Sequence, residues 1–98
     1  MDIKYKLHGI LFEWDSKKAV INLKDHGISF ETASEVFHDP FVQVVDEEIV
    51  DDEEREAVIG MTVDWRLVYV VYVIRKEVVR IISARLVTKA ERKSYEEQ

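Results

Sequence analysis

The sequence predicts an α+β domain: a small antiparallel sheet of about four to five strands, packed with two N-terminal helices and one C-terminal helix. Three observations predict it. Helix punctuation stands near both ends, with Asp15 and Gly27 around one segment and Thr88 with Glu91 opening the last. The middle, from Val42 to Ser83, is dominated by Val, Ile and Tyr, which suit a pleated, half-buried surface. The gaps between its later apolar runs are short enough for hairpin loops, so neighbouring strands run antiparallel.

A short strand from about Lys6 to Phe12 opens the domain. Asp15 caps the first helix, whose first turn is Ser16, Lys17 and Lys18, and Gly27 ends it in the left-handed conformation. Ser29 caps a second helix from Phe30 to about Phe37, with Ile28 and Ala33 placed as a hydrophobic staple. Asp39-Pro40 stops that helix, because proline disfavours helix in the residue before it. Four strands follow, at Val42 to Val45, Ala57 to Val63, Leu67 to Ile74 and Val78 to Ser83. Asp64-Trp65 and Arg75-Lys76 are the expected hairpin loops. Thr88-Lys89-Ala90-Glu91 is a capping box for the third helix. Both alternating faces of Leu67 to Ile74 are apolar, so this strand needs cover on both sides, from the helices or from a partner chain.

The 98 residues fit one domain, 1–98, with enough apolar content to bury its own core. No cysteine is present, which removes disulfides and thiolate metal sites and fits a reducing compartment. MDIKYKLHGILFEWD lacks an apolar run of signal-peptide or membrane-span length, so the expectation is a cytoplasmic protein without a membrane partner. The net charge of −6 is unevenly spread. Asp46 to Glu56, expected as a connection, holds eight of the twenty carboxylates and one of the fourteen bases, so the remainder is close to +1. Local field rather than total charge steers a polyanion, so a local basic surface is compatible with the acidic total.

Two groups of residues are candidates for chemistry. Lys18, Asn22 and His26 recur every four residues and form one ridge along the first helix. Ala19, Val20 and Leu23 continue round the same side as the expected core stripe, so the ridge borders the buried face. It is either ordinary helix furniture or one wall of a site. Arginine supplies the other group: Arg55 ends the acidic stretch, and Arg80 and Arg85 bracket RIISAR. Its fork of donors fits phosphate oxygens, and it pairs equally well with carboxylates. Arg80 and Arg85 have opposite parity along a regular strand and share a face only if the chain turns or bulges near Ala84. His8, His26 and His38 have no metal-ligand spacing, and no glycine-rich phosphate loop or GxSxG elbow is present. DNA-reading motifs are also lacking.

FEWD, Lys18, Asn22, His26-Gly27, Phe30, Val36-Phe37, Asp39-Pro40, Arg55 five before Gly60, RIISAR, and Glu91-Arg92 with Tyr95 together resemble the BrnT toxin family. The likeness runs in order from Phe12 to about Tyr95. It implies a RelE-like fold and a bacterial ribonuclease toxin of a type II toxin–antitoxin pair, encoded beside a BrnA-like antitoxin with a ribbon-helix-helix domain. That antitoxin would inhibit the toxin by direct binding, and DNA would be reached only through it. The implied chemistry is metal-independent endoribonuclease cleavage with no cofactor. It needs a base for the 2′-hydroxyl, an acid for the 5′-oxygen and cations for the phosphorane.

Carried over by position, Lys18 and His26 are implied for proton transfer or phosphate neutralisation, and Arg80 and Arg85 for the scissile phosphate. Arg55 would assist, Asn22 would line the substrate, Tyr95 would orient it or donate a proton, and Trp14 would stack a base. Where many members read Lys-His-Gly, this chain reads Asp25-His26-Gly27. That departure, with the low total charge, carries the alternative: a catalytically weak or inactive interaction module acting with the antitoxin in promoter autoregulation.

Overall fold

A computed structural model describes residues 1–98. The fold is α+β, and its sheet has six strands rather than four to five. Strands β1 (Asp2–Leu7) and β2 (Ile10–Asp15) form an N-terminal hairpin where a single strand was expected. The reason is His8-Gly9, both at positive φ (46° and 84°), a two-residue turn inside the segment expected to run straight. Helix α1 (Ser16–His26) follows, then a short α2 (Phe30–Ser34) that tightens into a 3₁₀ turn at Glu35–His38. Next come β3 (Gln43–Val50), β4 (Glu53–Met61), β5 (Leu67–Arg75) and β6 (Val78–Leu86), and α3 (Lys89–Glu96) closes the chain.

The expected caps form. Asp15 accepts from the Lys18 N–H at 3.0 Å, Gly27 takes φ 71° and donates to the Leu23 carbonyl, and Thr88 and Glu91 close the capping box. Ile28 and Ala33, the staple pair, are both fully buried. Two further expectations are corrected. The acidic stretch is a hairpin, not a loose connection: its residues pair across β3 and β4, and Asp51-Asp52 make the turn at φ 51° and 62°. The β5–β6 turn lies at Lys76-Glu77, one residue later than expected.

The spatial order is β1-β2-β6-β5-β4-β3. The sheet is mixed, because β2 lies parallel to β6 through Phe12↔Val79 and Glu13↔Arg80, while all other pairs are antiparallel. One face carries the core, where Phe12, Trp14, Val58, Val68, Val70, Tyr72 and Ile81 meet Ile28, Phe30, Ala33 and Val36. Burying such side chains stabilises by about 1.5–3 kcal/mol each. Gly60 lets the 3₁₀ turn approach β4, since a Cβ there would stand 2.7 Å from the Val36 Cβ.

The opposite face of β5 also carries apolar residues, as the sequence suggested. Leu67 and Val73 are buried there, whereas Tyr69 and Val71 are half-buried. α3 reaches this side at β4, and Glu91 on it pairs with Arg85. The expected core stripe of α1 is corrected: Val20 is 68% and Leu23 52% exposed, and only Asn22 of this helix is buried.

Candidate active site

The strand β6 organises the candidate residues. Val71 pairs with Ser83 and Tyr72 with Ile81, which leaves Ile82 as an extra residue, a bulge. This shifts parity, so Arg80 (opposite Val73) and Arg85 (opposite Tyr69) lie on one face of the sheet. The sequence placed the necessary irregularity near Ala84; it occurs two residues earlier.

Beyond the bulge, β2 no longer accompanies β6, and the first helix takes its place. Asn22 receives the Ala84 N–H on Oδ1 at 3.0 Å and donates through Nδ2 to the carbonyls of Ala84 and Ile28 at 2.9 and 3.0 Å. Its carboxamide thus continues the ladder where a strand is missing. Every hydrogen-bonding direction it offers toward the protein is used, so this 6%-exposed side chain positions α1 on β6 rather than facing a ligand.

Lys18 and His26 flank Asn22 on the same ridge, both exposed. With Asp25, Ile82 and Ser83 they line a shallow depression of about 180 Å³ between α1 and the bulge. Eight residues of helix separate their Cα atoms by about 12 Å, so the two side chains approach the depression from opposite ends.

The arginines are held by carboxylates. Arg80 forks onto Glu13 and onto Asp2 (3.1 Å), and the hydrogen bonds it donates to these carboxylates, that to Asp2 foremost, raise its pKa further. Arg85 forms a two-pronged pair with Glu91 at 2.8 and 2.9 Å while lying 4.0 Å over the Tyr69 ring. The guanidinium holds the Glu91 carboxyl down at about 2, aided by the Thr88 N–H. Arg55 lies across the sheet on the hairpin, with Nε buried and unpartnered beside a cavity of about 80 Å³ lined by Asp46, Glu48, Tyr69 and Val71.

The remaining two candidates lie outside the depression. Trp14 is 2% exposed and packs against Tyr5 and Phe30, so its ring has no face open to a base. Tyr95 donates to Asp39 Oδ2 at 2.6 Å; burial and this carboxylate push its hydroxyl up to about 12, which keeps it protonated. The sequence reading missed Asp39 as a hub. Its carboxylate also accepts from the N–H groups of Phe41 and Met61, tying α3 to the end of β4. Only its position before Pro40 hinted at this. Glu91 was legible as a cap residue, and that role concealed its pairing with Arg85.

The structure therefore unites Lys18, Asn22 and His26 with the β6 bulge, puts Arg80 and Arg85 on one sheet face, and leaves Trp14 and Tyr95 apart. The only three side chains placed to share a metal ion, Glu47, Glu54 and Glu56, stand on the β3–β4 hairpin, away from the depression. No helix is long and apolar enough to cross a membrane.

Comparison with known proteins agrees with this architecture. The family model described as "Ribonuclease toxin, BrnT, of type II toxin-antitoxin system" matches residues 14–91. Among curated proteins none matches the chain. Among solved structures, the fold is similar to that of the Brucella abortus ribonuclease toxin BrnT, at 20% identity and a TM-score of 0.59, over 78% of this chain and 94% of that one.

Proposed function

The chain belongs to the BrnT family of ribonuclease toxins of type II toxin–antitoxin systems, and on that premise we propose that it is a metal-independent endoribonuclease working at the depression between α1 and β6. The observation that carries this reading is the pairing of Lys18 and His26. Of the candidate side chains, these two are exposed, free of ion pairs and lined up on one concave surface. A phosphodiester laid over Ser83 would have an ammonium at one end and an imidazole at the other. One takes the 2′-hydroxyl proton while the other neutralises the phosphorane or protonates the departing 5′-oxygen. Support for metal independence comes from the donor set: the depression offers a single carboxylate, Asp25.

Arg85 joins only when a phosphate displaces Glu91, since both are oxyanions competing for one fork. Arg80, Asn22 and Trp14 serve this reading as framework, whereas Arg55 and Tyr95 stand away from the depression and take no part in it. A BrnA-like ribbon-helix-helix antitoxin is the proposed partner, with DNA engaged through that partner and the cytoplasm as the place of action. The test is expression without antitoxin. Wild type should arrest growth, and His26→Ala and Lys18→Ala proteins of unchanged melting temperature should not. Arrest that survives both substitutions would move the chemistry elsewhere.

One observation favours a second reading. With Arg80 and Arg85 both neutralised internally, the chain would be a catalytically weak module that acts with its antitoxin in promoter autoregulation.

A further inference from the structure

Strand β3 is an outer edge of the sheet, hydrogen-bonded to β4 alone. The backbone bonds outside regular elements include none from residues 43–50, so apart from the Glu47 N–H, which donates to Asp46 Oδ1 at 2.9 Å, the free side of this strand offers donors and acceptors without a backbone partner. Proteins blunt such edges with charged side chains, proline or bulges. β3 has a bulge at Val45 and the charges of Asp46, Glu47 and Glu48, which repel an acidic or apolar strand but not a basic one, and it leaves Ile49 77% and Val44 57% exposed.

Of the eight carboxylates from Asp46 to Glu56, Glu53 alone has an ion-pair partner, Arg75. Glu47 lies directly opposite Glu56, a destabilising like-charge pair, and Glu54 stands with them within 4.8 Å. On the other face Asp46 and Glu48 border a cavity that Arg55, opposite Glu48, already lines, and Arg85 already covers the Tyr69 ring there, so the uncompensated carboxylates are those of the Glu47, Glu54 and Glu56 face.

We propose that the β3 edge is a docking site for an extended, lysine- or arginine-rich segment of a partner protein, which adds to the sheet as a further antiparallel or parallel strand. Backbone hydrogen bonds supply the register. Alternate cations of that segment fall on Glu47, Glu54 and Glu56, which share one face of the hairpin. A second copy of this chain does not fit, because it would set one acidic hairpin against another. The inference is independent of the ribonuclease reading, since Lys18 and His26 lie off this hairpin.

The experiment uses the whole chain and a labelled peptide of alternating Lys and Val, about ten residues long. A second peptide of the same charge is methylated on alternate backbone nitrogens, in either register. The first peptide should bind and protect the amides of residues 44–50 from hydrogen exchange. Methylation in one register should weaken it by about tenfold or more, and so should the triple change Glu47→Gln, Glu54→Gln, Glu56→Gln in a protein whose melting temperature is held or raised. Equal binding of the methylated peptides would reduce the contact to general electrostatics and overturn the proposal. So would no binding at low salt, or protection of these amides by self-association without peptide.

Discussion

Asn22→Ala separates a framework role from a ligand-binding one. The substitution removes a carboxamide that makes three hydrogen bonds and is 6% exposed. It leaves the Ala84 N–H, the Ala84 carbonyl and the Ile28 carbonyl without partners at a position water reaches poorly. At roughly 1 kcal/mol or slightly more for each stranded group, the loss is about 3–4 kcal/mol. A domain of this size holds only about 5–15 kcal/mol in total. At about 4–8 °C per kcal/mol, the melting temperature should fall by about 15 °C or more. Asn22→Asp should be no better, because it keeps the acceptor for Ala84 but turns the donor toward two carbonyls into a third oxygen. Urea and thermal unfolding followed by circular dichroism measure both. A loss below about 1 kcal/mol with unchanged denaturant slope would refute the argument. Unchanged stability with lost activity would make Asn22 a substrate residue after all.

Glu91 predicts an acid-side effect of definite sign. Its pKa is depressed to about 2 from the ordinary 4.5, so its stabilisation is complete above about pH 4.5 and drains away as pH falls toward 2. Discounted for the partial exposure of the pair, this amounts to about 1–2 kcal/mol, and Glu91→Gln should flatten the stability–pH slope in that window. Gly60→Ala should cost about 1–3 kcal/mol through overpacking, because the added methyl meets the Val36 Cβ and carbonyl oxygen at 2.7 and 2.8 Å. A melt within a degree of wild type would refute it. Asp25→Lys turns the one carboxylate of the depression into a cation and should raise RNA affinity several-fold at low salt, with the gain shrinking as salt screens it. An affinity indifferent to this change would place the RNA elsewhere.

The sequence was most legible where one residue acts on its own neighbours. Asp15, Gly27, Ser29 and Thr88 each satisfy local backbone groups, and each cap forms where composition placed it. It was least legible where long-range pairing overrode local appearance. A run of carboxylates reads as a solvated connection, yet it folds back as a hairpin through five of the β3–β4 register pairs. His8-Gly9 is a turn only because β1 and β2 pair around it. The same division holds in the candidate site. The Lys18–Asn22–His26 ridge follows from helix geometry, whereas the Ile82 bulge, the Arg80 and Arg85 ion pairs and the Asp39 hub each join residues distant in the chain or require knowing the sheet register. The exposure of Val20 and Leu23 shows one further limit: helical periodicity identifies an apolar side but not whether anything lies against it.

The most direct test of the ribonuclease reading is cleavage of total RNA by the purified chain in excess chelator, beside His26→Ala and Lys18→Ala proteins of matched stability. The wild type should cleave in the presence of chelator, with the rate falling by roughly 100-fold or more when either side chain is removed. Folded wild-type protein that leaves RNA intact, or that cuts equally well without both side chains, would contradict that reading.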